Sequence, residues 1–153
     1  MKRLNRLIAT FFGVGYIPPA PGTLGALAGF IIFYLTSGNR LIQAVVFGVL
    51  AVLGFIVSGK VENDLNEKDP GCIVIDEVVS AYVTMFCIYP ERKFFWLLFL
   101  LGFSLNRFFD VVKPLGIDKL QSIKGSGGIM LDDILAGIYS NMVLWMIIWG
   151  FSL

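Results

Sequence analysis

The sequence predicts an all-α fold: an integral membrane bundle of about four to five apolar helices, preceded by an N-terminal interfacial helix. Hydrophobic residues make up 57% of the 153-residue chain, and charged residues make up only 15%. The mean hydropathy of +0.81 is typical of an integral membrane protein. The length suits a single domain over residues 1–153. No basic patch interleaved with aromatic residues indicates nucleic-acid binding.

The first predicted element is an amphipathic helix at the N-terminus. Its apolar residues recur at the spacing of one helix face, and polar and basic residues take the other faces. The apolar set is Leu4, Leu7, Ile8, Phe11 and Phe12. Such a helix is expected to lie on an anionic membrane surface. A signal peptide is the alternative, because basic residues precede an apolar stretch, but GYIPPAPGTLG offers no convincing small-x-small cleavage site.

Five apolar runs follow, and each is predicted to be a helix. They are Pro21–Thr36, Leu41–Val57, Ile73–Tyr89, Phe94–Phe109 and Ile134–Leu153. The first four are 16 or 17 residues long, which is roughly 24–26 Å of helix against a hydrocarbon core of about 30 Å. Membrane insertion therefore requires snorkelling or local thinning. A compact soluble helical domain with buried helices is the alternative.

The distribution of basic residues predicts the topology. With the N-terminus in the cytoplasm, nine basic residues fall on the inner side and three on the outer side. The inner set is Lys2, Arg3, Arg6, Lys60, Lys68, Arg107, Lys113, Lys119 and Lys124, and the outer set is Arg40, Arg92 and Lys93. This asymmetry follows the positive-inside rule. It places every unusual motif at the cytoplasmic face.

Five carboxylates at the predicted helix ends are the candidate functional residues. They are Asp76 and Glu77 in IVIDEVV, Asp110 in NRFFDVVKP, and Asp132 and Asp133 in GGIMLDDILAG. Unpaired carboxylates in apolar segments are expensive to desolvate, so a compensating positive charge is expected. The chain has no histidine. A divalent metal bound by carboxylates is therefore the leading hypothesis, and oxygen ligands of this kind suit Mg²⁺.

Groups that could bind phosphate accompany the acids. Arg107 lies three residues before Asp110 and shares its helix face, and Lys113 follows one step further on. A guanidinium beside a metal site suits bidentate phosphate binding. Backbone N–H groups of the Gly125–Gly128 segment, which includes Gly127 and Gly128, could hold an anion near a helix start. Together these features predict a phosphoryl ligand.

Each feature also has a structural interpretation. An acidic pair at a helix start often serves as a cap, and Arg107 with Asp110 could be a structural ion pair. Gly22, Gly25 and Gly29 could simply permit close helix packing. The convergence of three acidic sites on one face favours the functional interpretation.

In these motifs the chain resembles the phosphatidylglycerophosphatase A family. GVGYIPPAPGTLGALAG, DPGCIVIDEVV, NRFFDVVKPLGI and GGIMLDDILAGIY are similar to the family's blocks, in the same order, from about Leu7 to Tyr139. The resemblance implies Mg²⁺-dependent removal of the terminal phosphate of phosphatidylglycerophosphate at the bacterial inner membrane. It also implies a site built from the five acids, Arg107, Lys113, and the turn formed by Pro21, Gly22 and Thr23. Ser80 departs from the pattern, because glycine is expected after the DEVV block.

The predicted function is hydrolysis of this phospholipid, with Mg²⁺ held by some of the five acids. Asp76 or Glu77 would act as general base or as phosphoryl acceptor, and Asp133 is also predicted to take part in catalysis. Thr23, Arg107 and Lys113 would contact the phosphate. The alternatives are a small membrane protein that binds or transports cations with the same acids, and a structural membrane module whose acids are only caps. Transporters place acids near the bilayer midplane, whereas these acids are predicted at helix ends.

Overall fold

The computed structural model describes residues 1–91 and 93–151, and within these ranges the chain forms seven α-helices and no β-strand. The helices are α1 (Lys2–Ala9), α2 (Pro21–Thr36), α3 (Arg40–Leu65), α4 (Ile75–Thr84), α5 (Phe95–Val112), α6 (Ile117–Gln121) and α7 (Ser126–Gly150). A short 3-10 helix, Val14–Tyr16, lies between α1 and α2. The predicted all-α class is confirmed. Arg92, one of the basic residues assigned to the outer side, lies outside the described residues.

Three helices are long and apolar enough to cross a membrane, namely α3, α5 and α7. The shorter α2, with 16 residues, matches its predicted bounds. Large apolar side chains are exposed along the three long helices, as expected for surfaces that contact lipid. They include Val45, Val49, Val52, Phe55, Trp96, Leu97, Leu100, Met142, Met146 and Trp149.

The predicted span Ile73–Tyr89 is wrong in length. Its helix, α4, has 10 residues, which is about 15 Å and half the thickness of the hydrocarbon core. Apart from the half-buried Glu77, every residue of α4 is buried. The segment is therefore apolar because protein covers it on all sides, and hydropathy alone does not distinguish this from a lipid-facing span.

Glycines on both neighbours allow α4 to lie deep in the bundle. A Cβ on Gly29 of α2 would lie 2.2 Å from the carbonyl oxygen of Val78, and one on Gly137 of α7 would lie 2.5 Å from that of Ser80. Any larger residue at either position would push the helices apart. The packing interpretation of the α2 glycines therefore holds, since Gly25 also lies against Val74 of the chain leading into α4.

Helix α1 packs on the C-terminal half of α3 and on the approach to α4. Lys2 forms a 2.8 Å ion pair with Asp64. The backbone N–H of Val74 donates to the carbonyl oxygen of Ala9 at 2.9 Å. The N-terminal segment thereby contacts the backbone two residues before Asp76. Its predicted position on a membrane surface stays a prediction.

The buried core has two main parts, and both include residues of α4. One joins Phe30, Phe33, Tyr82, Leu98 and Leu144, from α2, α4, α5 and α7. The other joins α3, α4 and α7 with Ala9, and its members include Val57, Val61, Ile75, Val79 and Met130. These packed layers hold the first turn of α4 rigidly within the bundle.

Candidate active site

Three of the predicted acids meet in one cluster. Asp76 and Glu77 form the first turn of α4, and Asp133 faces them from α7. One carboxylate oxygen from each residue lies within 4.8 Å of the other two. Asp76 and Asp133 are buried, and Glu77 is half-buried. The cluster therefore brings together acids that are distant in the sequence, as the metal hypothesis requires.

Asp132 and Asp133 lie further inside their helix than predicted. The apolar run was expected to begin at Ile134, but α7 begins at Ser126. The pair therefore lies about two turns, or roughly 10 Å, into the helix. Ile129 and Met130 extend the buried face of α7 before the acidic pair. The start of α7 was not predicted, because Gly127 and Gly128 indicated a loop. The interpretation of this pair as helix-start caps is wrong.

Arg107 lies between Asp110 and the start of α2. Its Nη1 is 3.3 Å from Asp110 Oδ2, whereas its Nε and Nη2 are buried without a hydrogen-bond partner. A Cβ on Gly22 would lie 2.4 Å from Glu77 Oε1 and 3.6 Å from Arg107 Nη1. The start of α2, the guanidinium and the Glu77 carboxylate therefore adjoin one another.

The N-terminus of α2 adds backbone donors at this point. The first hydrogen bond of the helix runs from Leu24 N–H to the Ala20 carbonyl, so the N–H groups of Gly22 and Thr23 precede it. No side chain caps this end of the helix. Free N–H groups and the helix dipole at such an end favour an anion. The predicted contribution of the Pro21–Thr23 turn is thus consistent with its position.

Lys113 follows α5 in a left-handed conformation, with φ of 47°. Its Nζ is 2.6 Å from Asp132 Oδ2. Burial lowers the pKa of the ammonium, but the hydrogen bond to Asp132 and the nearby carboxylates outweigh burial and raise it. Lys113 therefore stays charged and is paired with an acid that was predicted to bind metal.

The charge on the first turn of α4 is costly without a cation. Burial, followed by the adjacent Glu77 carboxylate, raises the pKa of Asp76 well above its ordinary value. Burial also raises the pKa of Glu77, although a hydrogen bond with Asp76 and the Arg107 charge oppose this. A bound divalent cation would remove this penalty by stabilising the ionised carboxylates.

The acids leave coordination capacity unused. Asp76 Oδ1, Glu77 Oε2, Asp132 Oδ1 and Asp133 Oδ2 are buried and have no hydrogen-bond partner. Oxygens that bind one Mg²⁺ lie at most about 4.2 Å apart, twice the usual distance of about 2.1 Å. Small side-chain movements would bring the 4.8 Å cluster to that size. The residues present therefore fit a hard divalent cation.

Sequence reasoning missed a polar layer next to the acids. Asn106 Nδ2 donates to Ser80 Oγ at 2.7 Å and to Thr84 Oγ1 at 3.2 Å, and Ser80 Oγ donates to the Asp133 carbonyl at 2.6 Å. All three side chains are buried. The sequence spacing could have indicated this layer. Ser80 lies four residues after Asp76 and Asn106 lies four residues before Asp110, so each shares a helix face with an acid.

The glycines of the predicted anion-binding loop have packing contacts. A Cβ on Gly128 would lie 2.0 Å from the Ile123 carbonyl oxygen, and Ser126 Oγ accepts a 2.9 Å hydrogen bond from Gly59 of α3. The first contact closes the turn between α6 and α7, and the second joins the start of α7 to α3. A phosphate-binding role for Gly127 and Gly128 stays a prediction.

The chain is similar to known proteins along most of its length. The family Phosphatidylglycerophosphatase A matches residues 7–148. A Bacteroides thetaiotaomicron protein, provisionally described as a phosphatidylinositol-3-phosphatase, is 36% identical over 97% of this chain and 98% of its own length. Two proteins named phosphatidylglycerophosphatase A match 92% of the chain. That of Haemophilus influenzae is 37% identical with 86% of its length covered, and that of Escherichia coli is 31% identical with 81% covered. No solved structure matches significantly.

Proposed function

The chain belongs to the phosphatidylglycerophosphatase A family and is a phosphatase, and we propose that it removes the terminal phosphate of phosphatidylglycerophosphate with the help of Mg²⁺. The product is phosphatidylglycerol. The observation that carries the proposal is the meeting of a three-carboxylate cluster with Arg107, whose Nε and Nη2 have no partner. Buried unpaired donors beside buried unpaired acceptors are the arrangement that a metal and a phosphate together would satisfy.

The acids divide between metal binding and proton transfer. Asp76, Glu77 and Asp133 would hold the cation, with Asp110 and Asp132 close by. When bound, a divalent cation polarises a phosphoryl oxygen and stabilises charge that develops in transfer. Asp76 or Glu77 would accept the proton of the attacking water or accept the phosphoryl group itself.

The cationic groups and α2 would bind the phosphate. The free donors of Arg107 can form a bidentate contact with two phosphate oxygens. The N–H groups of Gly22 and Thr23 at the start of α2 add a second, neutral set of donors. Lys113 would exchange Asp132 for the phosphate, or neutralise Asp132 while the phosphate is bound. These contacts keep the headgroup at the inner ends of the helices while the acyl chains stay in lipid.

The proposed location is the bacterial inner membrane, with the site open to the cytoplasm. Three helices of sufficient length and the bacterial relatives support membrane insertion. The excess of basic residues near the acidic end of the bundle supports the orientation.

A second candidate substrate is phosphatidylinositol 3-phosphate. The Bacteroides relative aligns along nearly its whole length, and its identity of 36% is equal within a point to that of the Haemophilus protein. Both lipids present a phosphomonoester on a polyol headgroup, so the same metal and arginine contacts suit either. Identity alone does not rank the two substrates.

The predicted position of the acids at helix ends was the argument against cation transport, and for Asp132 and Asp133 that position is wrong. Transport is still not favoured, for other reasons. Asp132 and Asp133 lie two turns inside α7 rather than at its start. What now opposes transport is the family assignment, together with the anion-binding groups beside the acids. A cation transporter would not be expected to keep a guanidinium with two buried donors, Arg107 Nε and Nη2, that have no partner beside its cation site.

Phosphate release from purified protein in detergent tests the proposal. Phosphatidylglycerophosphate, phosphatidylinositol 3-phosphate and glycerol 3-phosphate are compared at equal concentration. We expect fastest release from phosphatidylglycerophosphate, loss of activity in excess chelator, and recovery with Mg²⁺. Full activity in excess chelator contradicts the proposed metal dependence. Absence of phosphate release from both lipids contradicts the proposed phosphatase activity. Faster release from the inositol lipid selects the second candidate.

A further inference from the structure

The apolar surface of α3 continues past the level of the acidic cluster. No charged residue lies between Arg40 and Lys60, and both of these are exposed. Twenty residues separate them, which corresponds to about 30 Å of helix, the thickness of a hydrocarbon core. Phe55 and Ile56, close to the Lys60 end, are 37% and 48% exposed. On this side of the bundle, Lys60 therefore marks the inner boundary of the lipid-facing surface.

Contacts between α3 and α7 show how far the acids lie from that boundary. The residue just before it, Gly59, donates its backbone N–H to Ser126 Oγ at 2.9 Å. A Cβ on Gly54 would lie 2.5 Å from Met130 Cε. The two helices therefore run antiparallel, and Asp133 is seven residues beyond Ser126 along α7. On the α3 side, the acidic cluster is consequently about 10 Å inside the boundary.

The surface beside α6 is polar at the depth of the acids. Ile117, the first residue of α6, is fully buried and belongs to one cluster with Phe109 and Ala136. Ala136 lies three residues beyond Asp133 on α7, so the start of α6 is as deep as the acids. The next residue, Asp118, is exposed. An aspartate side chain is too short to reach a distant interface as a lysine can, so water or headgroups must be present at this depth.

The segment between α5 and α6 gives a second measure of this depth. The carbonyl oxygen of Leu115 accepts a hydrogen bond from Tyr139 Oη at 3.4 Å. Tyr139 is six residues beyond Asp133 on α7, and its side chain leans back toward the start of that helix. Leu115 therefore lies near the level of the acids, and it is 79% exposed. An exposed leucine beside an exposed aspartate is typical of a segment at a bilayer interface.

The accessible groups of the active site belong to the same side of the bundle. Arg107, Asp110 and Lys113, from α5 and its C-terminal end, have side chains that are 22%, 18% and 19% exposed. Asp76 and Asp133 are only 6% and 5% exposed. Lys113 begins the segment that leads into α6. The cationic groups of the site therefore adjoin the polar surface that lies at the depth of the acids.

We propose that the inner leaflet is depressed beside α6, so that lipid headgroups descend to the level of the acids and the substrate enters from this side of the bundle. The inference rests on the membrane location and phospholipid substrate proposed above, and it adds the route by which the phosphate reaches Arg107 and Lys113. A flat boundary at the level of Lys60 would place the charge of Asp118 in hydrocarbon, which is costly. Local thinning of the bilayer where the lipid-facing surface is short removes that cost.

Depth measurements at two exposed positions test this inference independently of activity. A spin label is attached to Ile56→Cys or Asp118→Cys, with both native cysteines replaced, and each protein is reconstituted into liposomes. Electron paramagnetic resonance compares collisions with O₂, which is concentrated in hydrocarbon, and collisions with a water-soluble nickel chelate. Val45→Cys and Asn63→Cys, both at exposed positions on α3, are the hydrocarbon and water references.

The expected order of the two labels is the reverse of that in a flat bilayer. Ile56 lies between the α3 residues that contact Ser126 and Met130, so it is nearer the inner end of the bundle than Asp118. A flat boundary would therefore make position 118 at least as accessible to O₂ as position 56. We expect position 56 to collide mainly with O₂, as position 45 does, and position 118 mainly with the nickel chelate, as position 63 does.

The outcomes separate this inference from the proposed function. Preference for O₂ at both positions overturns the depression, and so does preference for the nickel chelate at both. Nickel preference at position 45 as well contradicts the proposed membrane location. Phosphate release is measured on the cysteine-free protein in the same liposomes. Release without the expected order of labels leaves the proposed function standing and overturns the inference, whereas the expected order without release from any phospholipid contradicts the proposed function alone.

Discussion

The hydroxyl of Ser80 donates a 2.6 Å hydrogen bond to the backbone carbonyl of Asp133, linking α4 to α7 beside the acidic cluster. The same oxygen accepts from Asn106 Nδ2 at 2.7 Å, which adds α5 to the link. One hydroxyl therefore connects the three helices that carry Asp76, Asp110 and Asp133. Glycine, expected here from the family pattern, would make neither bond.

Replacing Ser80 by alanine should destabilise the protein more than it impairs chemistry. The variant leaves Asn106 Nδ2 with Thr84 alone and the Asp133 carbonyl without this donor, at a cost of about 1–3 kcal/mol. Thermal unfolding in detergent and steady-state kinetics measure the two effects. Ser104→Ala removes an exposed hydroxyl that bonds one turn back on α5, and it is the control. Equal unfolding temperatures for the two variants would contradict a structural role for the Ser80 link.

Asp76→Asn and Asp133→Asn should abolish most turnover without unfolding the protein. Asparagine keeps the size but removes the charge, so a metal ligand or base is lost, and kcat should fall at least about a hundredfold. The control is Asp118→Asn, which changes an exposed acid on α6. If both site variants keep near wild-type turnover, the acids serve as structural groups and the functional interpretation fails.

Arg107→Ala should raise KM and lower kcat together. Its free donors would bind phosphate in the ground state and more strongly in the transition state. Arg107→Lys keeps the charge but loses the planar fork, so it should recover only part of the activity. Lys119→Ala removes an exposed cation and is the control. An unchanged kcat/KM in Arg107→Ala would leave this residue as no more than the structural partner of Asp110.

Gly22→Ala should impair activity through a single methyl group. The added Cβ would lie 2.4 Å from Glu77 Oε1, so either the carboxylate or the start of α2 must move. A displacement of that size should lower kcat/KM by about tenfold or more. Gly48→Ala is the matched control, because its Cβ would meet nothing within 4 Å in the middle of α3. Similar kinetics for the two variants would show that the start of α2 is not part of the active site.

Cysteine labelling of intact cells should place the acids on the cytoplasmic side. Single cysteines at Ser122 and Gly38, with Cys72 and Cys87 replaced, mark opposite ends of the bundle. Gly38 is preferable to Asn39, because the Asn39 side chain caps α3 by accepting from Leu41 and Ile42. A membrane-impermeant thiol reagent should label position 38 and spare position 122. The reverse pattern would invert the topology, and labelling of both would indicate a poorly inserted protein.

Much of the architecture could be predicted because it depends on local patterns. The bounds of α2 follow from Pro21 at its start and from uninterrupted apolar residues up to Thr36. The positions of the five acids within their motifs were also sufficient to nominate the cluster. Family resemblance then supplied the chemistry that isolated acids do not specify.

The errors arose where a pattern has two physical causes. The segment around α4 is as apolar as a membrane span, but protein rather than lipid covers it, and only tertiary packing reveals this. The start of α7 was misplaced because Gly127 and Gly128 suggested a loop, whereas they permit close contact with the preceding turn. The contact between Asp69 and Gln121 joins residues 52 positions apart, and no local pattern predicts such a contact.

The hydrogen bond from Val74 to the Ala9 carbonyl has a practical consequence for work on this enzyme. Residues 2–9 carry none of the acids, yet they hold the backbone immediately before Asp76. Shortening this segment, or fusing a bulky affinity tag directly to it, would disturb the acids from a distance and give an inactive preparation that looks like a catalytic defect. Purification handles belong at the other end of the chain, beyond α7, where Phe151 is exposed.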